Sequence, residues 1–218
     1  MSETGSKTLS LKADPDGSLE AAREAVAAGR CVVFPTDTVY GIGCAAFDAE
    51  AVKGLLAAKQ RGRDMPPPVL IAESSMLRAL AATVPEPARE LVARFWPGAL
   101  TIIVTAQRSL PLELGDTRGT VAVRVPGHDQ ARALLRRTGP MAVSSANLSG
   151  QSAATTAEEA QRMLGDAVAV YLDGGDAPGG EASTIVDFTG EEHGRVLRQG
   201  AIGIDALREV VPGLQAAD

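Results

Sequence analysis

The chain is poor in the residues that carry the commonest kinds of site chemistry. Phe, Trp and Tyr make up only 3% of its 218 residues. A core must therefore be built from Ala, Val, Leu and Ile, and stacking platforms for nucleic-acid bases are scarce. There are two cysteines, Cys31 and Cys44, and two histidines, His128 and His193. Those four offer no zinc-type ligand spacing, and both cysteines sit in apolar stretches that read as buried free thiols. The polar opening MSETGSKT has no apolar h-region and does not read as a secretory signal. No apolar run approaches the roughly 20 residues needed to span a bilayer. The expectation is a cytoplasmic protein that makes no use of a membrane. The chain lacks G-x-x-x-x-G-K-[ST], so a nucleotide would be held without a Walker loop. It also lacks a G-x-S-x-G elbow, which leaves a serine hydrolase unsupported. Gly41-Ile42-Gly43 followed by Ala46 mimics a dinucleotide fingerprint, but Phe47 and Asp48 come before the next helix. A nicotinamide site is therefore not expected.

What is present describes a globular α/β chain. Its length allows about 70% of the unfolded surface to be buried, which favours one large domain. Residues 9–212 are read as that domain, with 1–8 and 213–218 as loose ends. Apolar periodicity predicts helices at 18–28 (Ser18 as N-cap, Gly29 as stop), 48–60 (capped by Asp48), 74–82, 86–95, 128–138 and 156–164. Strands are predicted at RCVVF (30–34), PVLIA (68–72), ALTIIVTA, VAVRV, MAVSS, AVAVYLD, STIVDF and RVLRQ. Several connections are too short for a crossover helix, so a mixed, twisted sheet covered by helices fits better than a doubly wound one. The acidic, Gly-rich DGGDAPGGE (173–181) reads as a loop within the fold.

Three stretches invite a functional reading. FPTDTVYGIG (34–43) places Thr36, Asp37, Thr38 and Tyr40 at the exit of a buried strand, where binding groups gather; turn-stabilising roles are the alternative. MAVSSANLSG (141–150) ends a second strand in Ser144, Ser145 and Asn147, which suit a ligand with many oxygens or simply a turn. AAKQRGRDMPPPV (57–69) sets Lys59, Arg61 and Arg63 in a row within a chain of net charge −6. Helix-end capping explains one such cation. Three of them beside stiffening prolines favour a fixed anion site of the kind that transfer chemistry at phosphate requires. RNA is the competing ligand, but no aromatic lies between Phe47 and Phe95 to interleave with the charges.

PTDTVYGIG, Lys59-Gln60-Arg61, FWPGALT (95–101), TVAVRVP (120–126), SSAN (144–147), ASTIVD (182–187) and VLRQG (196–200) occur in this order. Together they resemble the YrdC-like family of L-threonylcarbamoyladenylate synthases, over about residues 10–210. Some relatives carry a second domain, and a single-domain form is expected here. The resemblance implies a twisted open α/β fold with a concave basic cavity. It also implies a nucleotidyltransferase reaction: L-threonine, bicarbonate and ATP, with Mg²⁺, give threonylcarbamoyl-adenylate and pyrophosphate. The downstream partner it implies is a tRNA threonylcarbamoyl transferase complex, with direct tRNA contact a further option. By the same resemblance, Lys59 and Arg61 would be catalytic at the phosphates, with Thr120, Ser145, Asn147 and Arg198 completing the ATP site. Thr38, Arg124 and Ser183 would hold threonine, Arg124 as a forked partner of its carboxylate, with Thr36 and Tyr40 shaping that pocket. No residue is expected to ligate a metal. The chain departs from the family pattern at Gly62, Met65, Leu70 and Ala153.

Overall fold

The computed structural model describes residues 5–178 and 181–217. The element order is β1 (Lys7–Ser10), α1 (Pro15–Ala27), β2 (Cys31–Phe34), β3 (Gly41–Ala45), α2 (Ala49–Ala58), β4 (Val69–Leu70), α3 (Leu77–Leu80), α4 (Glu86–Phe95), β5 (Leu100–Thr105), β6 (Thr120–Arg124), α5 (Asp129–Thr138), β7 (Met141–Ser145), α6 (Ala157–Leu164), β8 (Val168–Asp173), β9 (Thr184–Asp187), β10 (Arg195–Arg198) and α7 (Ile204–Arg208). All ten strands form one mixed sheet in the order β1-β8-β2-β3-β7-β4-β6-β5-β9-β10.

Period-two alternation in β2 divides the core. Val32 and Phe34 pack with Leu19, Val26, Leu134 and Leu135 of α1 and α5. Cys31 and Val33 face the other way, onto the layer that holds Leu55, Leu91 and Leu164 of α2, α4 and α6. The second layer continues under β5 and β6 through Leu100, Ile102, Val121 and Val123. On the opposite face α1 and α5 cover only one end of the sheet. Their layer stops at Leu70 and Val143, and the alternate residues Thr101, Ile103, Ala122, Arg124 and Ile185 line an open cavity instead. That uncovered stretch is where a ligand has room.

The structure departs from several of these expectations. Helix α1 begins a turn earlier than predicted: Asp14 accepts from the Gly17 amide at 3.0 Å and is the N-cap, while Ser18 is buried inside the helix and donates to Ser10 O. Pro15 at the first helical position has its φ preset and no N–H to satisfy. PTDTVYGIG is loop only as far as Tyr40, because Gly41–Ala45 forms β3 between β2 and β7. Glycine is a poor strand former, but a Cβ on Gly41 or Gly43 would lie 2.8 or 2.9 Å from Val143. The close approach of β7 demands both. The segment 68–72 keeps only two strand residues. Lys7 and Thr8, expected in a loose end, pair with Val170 and Tyr171. Leu214 is buried and Gln215 bridges to Arg195, so the sheet and core reach past both proposed boundaries. No helix of the described residues is long and apolar enough to cross a membrane.

Candidate active site

The open face forms a cavity of about 270 Å³. Its floor is the bare half of the sheet, its rim Pro66–Pro68 and the ends of β3, β7 and β10. Nine of the eleven residues singled out from sequence line it: Thr36, Thr38 and Tyr40 after β2; Arg61; Thr120 and Arg124 on β6; Ser145 ending β7; and Ser183 with Arg198 at β9 and β10. Three of the nine are arginines, and no carboxylate is among the described lining residues.

Each arginine is held by neutral acceptors or by a single carboxylate. Arg61 donates through Nε to Met65 O at 2.7 Å and through Nη1 to Ser144 Oγ at 3.0 Å. Arg198 donates to Ser183 O at 2.7 Å and to Ser183 Oγ at 3.3 Å; Ser183 Oγ in turn lies 2.8 Å from Thr101 Oγ1. Arg124 is buried. Its Nε donates to Gly98 O at 2.9 Å, Nη1 to Thr38 Oγ1 at 3.1 Å and Nη2 to Asp37 Oδ1 at 2.7 Å. Two of its five N–H groups remain for a ligand. Burial lowers the pKa of Arg61 and of Arg124, and the Arg198 charge pushes both the same way. Three like charges converge on one space, an arrangement that an anion would relieve.

The hydroxyls are organised as tightly. Thr36 Oγ1 lies 3.0 Å from Thr38 Oγ1 and 2.6 Å from Val39 O, to which it donates. Thr120 donates to Thr117 O at 2.7 Å. Tyr40 lines the cavity with its hydroxyl already committed. Its hydroxyl donates to Gly175 O at 2.6 Å and accepts from Gly174 N at 3.2 Å, fastening the 173–181 loop, of which residues 179 and 180 lie outside the described residues. Burial raises the Tyr40 pKa.

Two expected ligands are not in the cavity. Lys59 is 2% exposed and Asn147 is 7% exposed, and neither lines it. The Lys59 ammonium donates to Ser145 O, to Asn147 O at 2.7 Å and to Asn147 Oδ1 at 3.3 Å. Burial, then the Arg61 charge, lower its pKa to about 8. The Asn147 amide donates to Leu148 O and Gln151 O. The basic corner thus splits three ways. Lys59 turns into the core and Arg61 into the cavity, while Arg63 faces solvent 4.0 Å from Asp116.

Asp37 is the partner that the sequence reading left unassigned. Besides Arg124 it accepts from Gly127 N at 2.8 Å, tying β6 to the loop after β2. Its place between Thr36 and Thr38 was the available signal. Thr101 and Thr117 were also missed; Thr101 shares with Ile103 the cavity-facing parity of β5, and Ser144, named beside Ser145 from the sequence, lines the cavity too. Of the four departures from the family pattern, Leu70 lines the cavity. Met65 offers only its backbone oxygen to Arg61, and its side chain is exposed.

Residues 24–200 match the model of the Sua5/YciO/YrdC family, whose description reads telomere recombination; the chain belongs to that family. A Mycobacterium tuberculosis (strain H37Rv) protein, whose name as a threonylcarbamoyl-AMP synthase is provisional, is 52% identical over 193 residues, 88% of each chain. A Bacillus subtilis threonylcarbamoyl-AMP synthase is 41% identical over 83% of this chain and 52% of its own. Among solved structures, Pyrococcus abyssi Sua5 complexed with L-threonine superposes with a TM-score of 0.85 at 35% identity, covering 91% of this chain and 58% of that one. Escherichia coli YciO gives 0.81 at 25% identity, covering 93% and 99%.

Proposed function

We propose that this chain is a threonylcarbamoyl-AMP synthase, a nucleotidyltransferase that makes threonylcarbamoyl-adenylate and pyrophosphate from L-threonine, bicarbonate and ATP. The observation that carries this reading is the carboxylate-free cavity in which Arg61, Arg124 and Arg198 converge among hydroxyls. The chemistry has matching needs. Bicarbonate and the threonine amine condense to a carbamate with loss of water. A carbamate oxygen attacks the α-phosphorus, and the bond to pyrophosphate breaks. Two anions are forced together, so fixed cations lower the barrier, and a recessed site shields the labile carbamate from water.

In this reading Arg61 and Arg198, with Ser145 and Thr120, face the triphosphate. The two unspent N–H groups of Arg124, with Thr38 and Ser183, receive the threonine carboxylate and hydroxyl. Arg124 is then a partial donor beside its Asp37 counter-ion rather than the free fork that the sequence suggested. A divalent cation finds no carboxylate among the described lining residues, and no cluster of three His, Cys, Asp or Glu exists among the described residues. The cavity's own donors do not fit a resident metal, so Mg²⁺ would enter as the ATP complex. The product, a mixed anhydride, would pass to a tRNA-modifying transferase.

The test is mass spectrometry of products after mixing the protein with ATP, Mg²⁺, bicarbonate and threonine, each omitted in turn. A threonylcarbamoyl-adenylate peak that needs all three substrates supports the assignment. Pyrophosphate release without threonine, or salt-sensitive RNA binding with no product, overturns it.

A further inference from the structure

Lys59 is the first cation of the basic corner, and charge counting alone would place it on the phosphates. The structure gives it a different task. Its ammonium has three N–H donors, and three oxygens take them: Ser145 O, Asn147 O and Asn147 Oδ1. None is left to turn toward an anion. Lys59 caps the C-terminus of α2, and the buried Leu55 and Leu56 anchor that helix, so the backbone cannot carry the ammonium outward. The contact is reciprocal, because Ser149 N donates to Lys59 O at 2.9 Å.

We propose that Lys59 is a positioning residue whose ammonium folds the 145–149 turn around itself, setting Ser144 and Ser145 at the cavity wall so that Arg61 and Arg198 meet the phosphates. The chain of contacts is short. Lys59 fixes the carbonyls of Ser145 and Asn147, and the Asn147 amide closes the turn onto Leu148 O and Gln151 O. Ser144, one residue before, accepts from Arg61 Nη1. Lys59 thereby holds the anchor of the arginine that faces the ligand. Without it, Asn147 O and Asn147 Oδ1 would lose their donor and Ser145 O would keep only the Asn147 amide at 3.0 Å, and buried acceptors left unpaired are not tolerated cheaply.

The assignment of phosphates to Arg61 rests on the synthase reading, and the experiment separates the two. Lys59→Gln, Lys59→Met, Arg61→Gln and the double variant Lys59→Gln/Arg61→Gln are made in the full chain. Binding of ATP and of AMP is measured by calorimetry, and melting is followed by circular dichroism. Arg61→Gln should weaken ATP about tenfold or more relative to AMP. A positioning role acts through Arg61, so Lys59→Gln should shift the ATP-to-AMP ratio the same way, lower melting on the order of 5 °C, and shift the ratio by less than about twofold when added to Arg61→Gln. If Lys59→Gln lowers the ratio about a further tenfold on top of Arg61→Gln, the proposal is overturned and Lys59 is a phosphate ligand. If wild type binds neither nucleotide, the synthase reading fails. Melting then decides the present one: an unchanged Lys59→Met overturns it, and a destabilised or unfolded one upholds it.

Discussion

Arg61→Ala separates a role at the ligand from a role in the fold. Arg61 is half-buried at the cavity rim and donates to Met65 O and Ser144 Oγ. Water can replace both contacts there, so the loss is close to one net hydrogen bond, about 1 kcal/mol. For a domain of this size that corresponds to a fall in melting temperature of about 2–4 °C. A protein stable by about 5–15 kcal/mol stays folded after such a change. As a stabiliser of charge developing on phosphate, the same guanidinium should be worth about 10²–10³ in turnover, or about 2.7–4 kcal/mol of barrier. The two magnitudes do not overlap, so unfolding cannot account for the expected loss. The assay is threonine-dependent pyrophosphate release with ATP varied, run beside thermal melting. Turnover within about threefold of wild type would refute the assignment of Arg61. Arg61→Lys should recover only part of the rate, because a point charge lacks the fork.

Arg124→Met removes the cation between Asp37, Thr38 and Gly98 and leaves the Asp37 carboxylate, 18% exposed, without its partner. Breaking a buried pair costs about 3–5 kcal/mol, read as a lower urea midpoint; Asp37→Asn/Arg124→Met should be milder than the two single losses added, and an unchanged midpoint in Arg124→Met disproves the strut. His128 caps α5 by accepting from Ala131 N through Nδ1 at 3.2 Å, and burial lowers its pKa below the ordinary 6.5. The unfolded chain then binds the proton more readily, so stability is full above pH 6.5 and falls as pH drops toward the folded value. His128→Asn, which keeps a capping acceptor, should flatten that slope in pH-resolved melting, and an unchanged slope would count against the cap. Gly200→Ala would set a Cβ 2.1 Å from Ala182 O and 2.8 Å from Ser183 C. Backbone cannot yield as a side chain does, so a loss of about 1–3 kcal/mol is expected with weaker nucleotide binding through displaced Arg198; normal melting would show that β9 and β10 tolerate the spread.

The elements that were legible in the sequence are those whose own residues pay the local costs of order. Helix α2 announces itself through Asp48, which accepts from the Glu50 and Ala51 amides, and through Val52, Leu55 and Leu56 on one face. Strands β5 and β6 are rich in β-branched residues, and β8 is an apolar run of Val, Ala, Tyr and Leu. What escaped depends on neighbours. Strand β3 reads as a glycine loop until β7 lies against it at a distance that excludes Cβ atoms. Strand β1 is four residues long, mostly exposed, and exists because β8 offers an edge in parallel register. Helix α7 spans one turn and is pinned mainly by buried Leu207.

The site divides along the same line. The resemblance to a family's motifs, rather than residue type alone, named the eleven candidates, and nine of them meet in the cavity because they sit at strand ends on one sheet face. Direction was not legible, and for long cations direction decides function. Lys59 and Arg61 are two residues apart across a turn in which Gln60 takes a positive φ of 52°. That reversal sends one ammonium inward to three oxygens and the next guanidinium outward to the cavity. A buried lysine of lowered pKa with every donor spent holds carbonyls in place; an arginine with spare N–H groups beside two others draws anions. In a chain of net charge −6, the cations that matter to a ligand are therefore those whose donors the fold has left unspent.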